Sequence, residues 1–282
     1  MRPKLYPDLN FLIDALNAGD QYQTMLAGVA ALQTQFVISH WHLVELARAK
    51  NPAPLVKLVL ELQPAYLHER TVILRKSIRD KVNQLLGITN SVWEPIGTLE
   101  DVIIGLSGPI EAGKTLRLDD VISILRMNQA PIESGYAANR DARDSYLRAM
   151  QSNAVSAEMK HNSNEKYLLQ FFPEKVLRGN VVGLLEHTTK LELLKKIDFS
   201  DIRVAVVEDA VTEDGHRPDV KLRKQTFFDR QHMILALPYT DFVVTGDKAF
   251  ASLVERVRLR LPFEVAQVIT RHEFEEKFSI TR

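Results

Sequence analysis

Three short apolar runs in this chain each end on a polar residue that heads a helical pattern. They are KLYP before Asp8, FVI before Ser39, and FVV before Thr245-Gly246-Asp247. Each is too short for a helix and carries the β-branched and aromatic residues of a strand. Pro7 disfavours the helical conformation at Tyr6, so the first run stays extended up to a turn at Pro7-Asp8. A strand that leads straight into a helix returns to its sheet as a parallel neighbour, with the helix on one face. Strands alternating with helices at both ends of the chain therefore specify an α/β fold with a central, mostly parallel sheet.

Between these runs the pattern is mainly helical. Tyr22, Met25, Leu26, Val29 and Ala30 recur at helical spacing. Ser39 is placed to cap a helix through HWHLVELARAK, which Asn51-Pro52 ends. Residues 54–86 read as one or two helices. The stretch 87–180 carries repeated Gly and Pro turn signals and then a polar, mostly helical segment over 137–172. Residues 181–196 read as an amphipathic helix, RVAVVE at 203–208 as a buried strand, and EDGHRP at 213–218 as a loop. A helix over 226–239, another over 248–257, a last strand VAQVIT at 265–270 and a helical tail complete the pattern. The organisation expected is a first part over 1–86, a helical insertion over 87–180, and a second part over 181–282.

Composition removes several classes. No apolar run approaches the ~20 residues that span a bilayer, and MRPKLYPDLN lacks a signal-peptide core, so a cytoplasmic protein with no membrane partner is expected. There are no cysteines, hence neither a disulfide framework nor a Cys-ligated zinc. The 36 basic and 36 acidic residues cancel, which argues against coating nucleic acid by bulk charge but leaves room for a local basic groove.

Four carboxylates fall at telling places. Asp8 and Asp247 end strands, Glu45 lies one turn inside the helix after the second strand, and Asp229 is expected to open a helix. In parallel α/β sheets ligands bind outside the carboxyl ends of the strands. Each acid also has a plain structural reading, as a helix cap or a solvated side chain.

The blocks YPDLNFLIDAL, FVISHWHLVELARA, FFDRQHMILALPYTDFVVTGDKAF and VAQVITRHEF, in that order, resemble the PIN-like domain family of metal-dependent nucleases, which includes many bacterial toxin ribonucleases. The match covers the two ends of the chain, and the middle departs from it. The resemblance implies a three-layer PIN-like α/β fold with a large helical insertion. It implies that Asp8, Glu45, Asp229 and Asp247 bind Mg²⁺ or Mn²⁺ and carry catalysis, with Asn10 and Thr245 orienting the carboxylates. The expected activity is endonucleolytic hydrolysis of single-stranded RNA. An antitoxin or other regulatory protein and a second copy of the chain are the further candidate partners. Clustered carboxylates raise one another's pKa unless neutralised, and a hard divalent cation is the natural neutraliser. Lys221, Arg223, Lys224 and Arg230 flank Asp229 and are candidates to meet substrate phosphates, as are Lys248 and Arg271. Phe227 and Phe228 are read as core residues that could otherwise stack bases. A competing reading keeps the scaffold and drops the chemistry, leaving a non-catalytic RNA- or protein-binding module.

Two motifs stand apart. His40 and His42 bracket Trp41 just before Glu45 and are read as packing or capping neighbours. GPIEAGKT, 108–115, fits the phosphate-binding loop G-x-x-x-x-G-K-[ST]. That loop must run from a buried strand straight into a helix. Here Gly105 interrupts the upstream EDVIIGLS, and Asp119-Asp120 place the helix start late. A P-loop nucleotide hydrolase is accordingly the less favoured alternative, with Lys114 its discriminating residue.

Overall fold

The computed structural model describes residues 2–88, 93–107, 117–151, 168–178, 181–215 and 224–278. Its main sheet takes β1 (Lys4–Pro7), β2 (Gln35–Ser39), β3 (Ala65–Leu67) and β4 (Ile96–Gly97) from the first half of the chain. A separate antiparallel hairpin is formed by β5 (Lys175–Arg178) and β6 (Val181–Leu184). The main sheet is completed by β7 (Phe242–Val244) and β8 (Gln267–Ile269), in the order β4-β3-β2-β1-β7-β8. All its pairings are parallel except β3 with β4.

The strands bury both faces, as a covered parallel sheet must. Leu5, Phe36, Ile38, Tyr66 and Val244 enter one core; Tyr6, Val37, Leu67 and Val243 enter the other. The first core is closed by α1 (Leu9–Asn17), α2 (Asp20–Leu32) and α4 (Ala53–Leu62), with α3 (His40–Arg48) beside them. On the second face lies α5 (Arg70–Leu85). Next come α6 (Leu99–Ser107), α7 (Leu118–Met127) and α8 (Gln129–Gln151). After the hairpin the chain forms α9 (His187–Leu194), α10 (Arg203–Gly215), α11 (Lys224–Ala236), α12 (Lys248–Arg258) and α13 (Arg271–Lys277). Helices α10, α11 and α12 join α5 on the second face, and Phe274 of α13 packs into the first. The result is a three-layer α/β fold.

Several sequence expectations are corrected. RVAVVE is not a strand but the start of α10. Val204, Val207, Ala210 and Val211 share one helical face and are all buried, and that burial outweighs the few tenths of a kcal/mol per residue by which β-branching disfavours helix. The same helix continues through Glu213–Gly215, where a loop was expected. Residues 181–196 are strand β6 and then α9, not one helix. The span 54–86 holds two helices, one of the two arrangements expected, but β3 was not foreseen between them; Gln63 adopts a left-handed φ of 46° before Pro64 and ends α4. Asp229 lies inside α11 rather than at its start.

The middle of the chain is partly built into the main fold. β4 pairs with β3, and Leu118, Val121 and Ile122 of α7 join the first core. Arg48 of α3 holds Glu133 of α8 at 3.0 Å. GPIEAGKT itself lies outside the described residues. The segment that precedes it, however, is helix α6, where a phosphate-binding loop needs a buried strand.

Candidate functional site

The strand order reverses at β1. From there the chain moves outward through β2 and β3 on one side, and through β7 and β8 on the other. The carboxyl ends of β1 and β7 thus form the switch point where α/β sheets hold their ligands. Register fixes what stands there. Pro7 pairs with Val244, and Asp8 N–H donates to the Val244 carbonyl at 2.9 Å, so Asp8 and Thr245 lie side by side one step beyond their strands.

Asp8 is the N-cap of α1: its Oδ1 accepts from Phe11 N–H at 2.6 Å. Its Oδ2 accepts a hydrogen bond from the Thr245 hydroxyl. Thr245 Oγ1 in turn accepts from Asp247 N–H at 3.0 Å. Burial pushes the Asp8 carboxyl up from its ordinary value; the Thr245 and Phe11 bonds and the His232 charge oppose this, and the Glu45 charge reinforces it. Asp8 and Glu45 are therefore within each other's field.

Glu45 arrives on α3 and pairs with His232 of α11, whose Nε2 lies 3.1 Å from Glu45 Oε2. Burial alone would raise the Glu45 pKa. The His232 contact, with His42 and Arg48 behind it, brings it below the ordinary value. His232 Nδ1 lies 2.7 Å from Tyr6 Oη, and Tyr6 Oη lies 2.7 Å from Ser39 Oγ. His42 reaches back from the first turn of α3 to Ser39 N–H, the role Glu or Gln fills in a capping box. Both readings of the histidine pair hold: His42 caps, and His40 packs on Trp41 at 4.6 Å between ring centres. Burial lowers the pKa of each to about 3.

The other expected site residues are distributed unevenly. Asp229 is half-buried on α11, three residues before His232 and so on the same helical face. Asp247 caps α12, its Oδ1 accepting from Ala249 N–H at 2.7 Å and Phe250 N–H at 3.1 Å. Thr245 does orient a carboxylate. Asn10 does not: it is exposed on α1, and among the described residues it makes no hydrogen bond to the acids. Lys221 and Arg223 lie outside the described residues, and Lys224 begins α11. Arg230 is a correction. It is only 3% exposed, with its guanidinium 4.0 Å from the buried Asp214, so it is a core residue and not a phosphate-facing cation. Arg271 stacks on Tyr22 and bonds Glu275 at 2.6 Å, while Lys248 is exposed beside Asp247. Phe228 packs edge-on against Trp41 and under Arg48, as a core residue does.

His232 and Tyr6 were not singled out in the sequence. The one available signal was the three-residue spacing of Asp229 and His232 within a helical pattern.

The donor set is of the kind a hard cation takes. Asp8 is a desolvated carboxylate in the field of a second one, a pair that a divalent cation would relieve. Mg²⁺ needs only one or two carboxylates because it retains several waters. Among the described residues no group of three His, Asp or Glu side chains stands together around a metal position; Asp8 lies in the field of Glu45. The chain matches no family model, no curated protein and no solved structure with which it was compared. No helix among the described residues is long and apolar enough to cross a membrane.

Proposed function

We propose that this chain is a metal-dependent nuclease of PIN-like type that hydrolyses phosphodiester bonds in single-stranded RNA. The observation that carries the reading is the position of Asp8 at the β1/β7 switch point, half-buried and within the field of Glu45. Asp8 and Glu45 would hold Mg²⁺ or Mn²⁺, with Asp229 approaching from α11 and Asp247 from the rim. A divalent ion so held supplies Lewis acidity at a phosphoryl oxygen and eases deprotonation of water. Thr245 fixes the Asp8 carboxylate, and His232 and Arg48 keep Glu45 ionised. Lys248 is an exposed cation at the rim that a phosphate would meet. A toxin or defence effector is the biological setting that fits such an activity.

The experiment is cleavage of a mixed-sequence single-stranded RNA with Mn²⁺, with Mg²⁺ and with EDTA, beside Asp8→Asn. Cutting that needs metal and is lost in the variant supports the proposal. Cutting that survives in Asp8→Asn removes Asp8 from the site.

A second reading is favoured by one observation: Glu45 already has a partner in His232, and no three acids converge among the described residues. On that reading the carboxyl end of β1 and β7 is part of a non-catalytic RNA- or protein-binding surface. Titration with Mn²⁺ separates the two, since a binding-only scaffold has no reason to order the ion.

A further inference from the structure

Asp8 and Glu45 belong to different strand–helix corners, yet a buried run of hydrogen bonds links the backbone before one to the carboxylate of the other. The run starts at Pro7, the residue before Asp8. Its carbonyl lies 2.6 Å from His42 Nε2. His42 Nδ1 takes Ser39 N–H at 3.1 Å and is thus the acceptor nitrogen, so Nε2 carries the proton and donates to Pro7. From Ser39 Oγ the run passes to Tyr6 Oη, then to His232 Nδ1, and from His232 Nε2 to Glu45.

An ionised Glu45 only accepts, so His232 Nε2 donates to it. The other ring nitrogen, Nδ1, is held by the Tyr6 hydroxyl, which is held in turn by Ser39. A phenol is un-ionised near neutral pH, so Tyr6 has a proton to donate. Tyr6, Ser39, His42 and His232 are all buried. Polar groups left unsatisfied at these depths are costly, and the run satisfies them in sequence. A ring at position 232 that only filled space would need none of this.

We propose that His232 is the positioning residue of the site: it holds the Glu45 carboxylate on the Asp8 side of α3, and Tyr6 and Ser39 hold the ring from its other nitrogen. The proposal rests on the nuclease reading above. It assigns His232 a role through Glu45, not on the substrate. It also explains why an acid on α3 and an acid after β1 keep a fixed relation although their corners are separate.

The test uses the full chain and three variants: His232→Gln, His232→Phe and Tyr6→Phe. Mn²⁺ is titrated into each by calorimetry, beside metal-free thermal unfolding and RNA cleavage. His232→Gln keeps an N–H for Glu45; His232→Phe keeps a ring and loses both nitrogens. The expected result is a folded His232→Phe whose Mn²⁺ affinity falls about 10- to 100-fold, the usual effect of removing a group that orients a metal ligand. Cleavage should fall with it, His232→Gln should recover most of the affinity, and Tyr6→Phe should lie between. Wild-type Mn²⁺ affinity in a folded His232→Phe overturns the proposal, and so does a His232→Gln no better than His232→Phe. Should His232→Phe fail to fold, Tyr6→Phe decides, since it leaves Glu45 and its partner in place; unchanged affinity there overturns the assignment. Wild-type protein that neither takes up Mn²⁺ nor cuts RNA is a separate failure, and it removes the nuclease reading together with this one.

Discussion

After β1 the chain turns at Asp8 into α1, and after β7 it turns at Asp247 into α12. Both aspartates cap the helix that follows, both end neighbouring parallel strands, and Thr245 touches both. Their surroundings differ. Asp8 is drawn inward, where burial raises its pKa and Glu45 and His232 face it across the sheet end. Asp247 stays at the rim, with one oxygen accepting two N–H groups of its own helix. One local signature, strand–Asp–helix, thus yields a desolvated carboxyl beside a second acid at one corner and a plain cap at the other. The difference is made by what the neighbouring elements bring. At Asp8 they bring α3 and α11 with Glu45 and His232.

The largest expected effect separates the two aspartates directly. Asp8→Asn should lower RNA cleavage at least about a hundredfold, roughly 2.7 kcal/mol of transition-state stabilisation, and Asp247→Asn by clearly less. Stability should not follow activity. A carboxyl whose folded pKa lies above its unfolded value destabilises the fold when ionised, so removing the charge at Asp8 relieves a cost. Asn also caps about as well as Asp. Thermal unfolding of Asp8→Asn at pH 7 should therefore match or exceed wild type. A marked drop in melting temperature, or equal activity losses at the two positions, would collapse the distinction.

A smaller effect comes from the histidines behind Asp8. His40 faces His232, His42 and Arg70, and His42 faces His232 and Glu45. Both are held near 3, below the ordinary value of about 6.5. Between those limits the unfolded chain binds protons that the folded chain does not, so acid favours opening. Stability is lost as pH falls below about 6.5, by up to about 1.4 kcal/mol per pH unit for each histidine. Asp8, with its raised pKa, works in the opposite sense lower in the window. Amide exchange followed from pH 7 to pH 5 should show α3 losing protection before α12. Equal losses in both helices, or none, would show that the Asp8 corner has no special sensitivity to acid.

How much of this was legible depended on whether a local pattern was also the decisive one. The strands β1, β2, β7 and β8 were readable because apolar runs bounded by Pro, Ser and Gly leave few alternatives, and the acids at their ends followed from the topology of parallel sheets. RVAVVE misled because its β-branched residues favour a strand locally, while the contacts that make it helix, Val204, Val207 and Val211 in the core that α10 shares with α5, α11 and α12, are made with residues distant in sequence. β3 is only three residues and hides between two helices. Arg230 looked like a surface cation among Lys221, Arg223 and Lys224; only the fold reveals Asp214 waiting in the interior. The partnership of His232 with Glu45 and Tyr6 joins three elements far apart in sequence, and no spacing rule encodes it.

The smallest effect tests whether the two corners act as one unit. The Thr245 hydroxyl donates to Asp8 and accepts from Asp247 N–H. Thr245→Val keeps the β-branched shape and leaves a buried carboxylate oxygen and a backbone N–H without their partners, which should cost about 1–3 kcal/mol. Most of that loss is owed to the charge on Asp8, because a hydrogen bond to an ionised group is worth more than one to a neutral amide. In an Asp8→Asn background the same substitution should therefore cost less, with a coupling energy of at least about 0.5 kcal/mol in the double-mutant cycle. Paired with Asp247→Ala, which removes a cap worth about 1 kcal/mol, Thr245→Val should add with little coupling, since the Asp247 side chain and the Thr245 hydroxyl satisfy different N–H groups. Urea unfolding of the five variants and the wild type measures both cycles. Coupling of similar size in both would mean that Thr245 ties Asp247 into the site as firmly as Asp8, and that the rim aspartate belongs with Asp8 and Glu45.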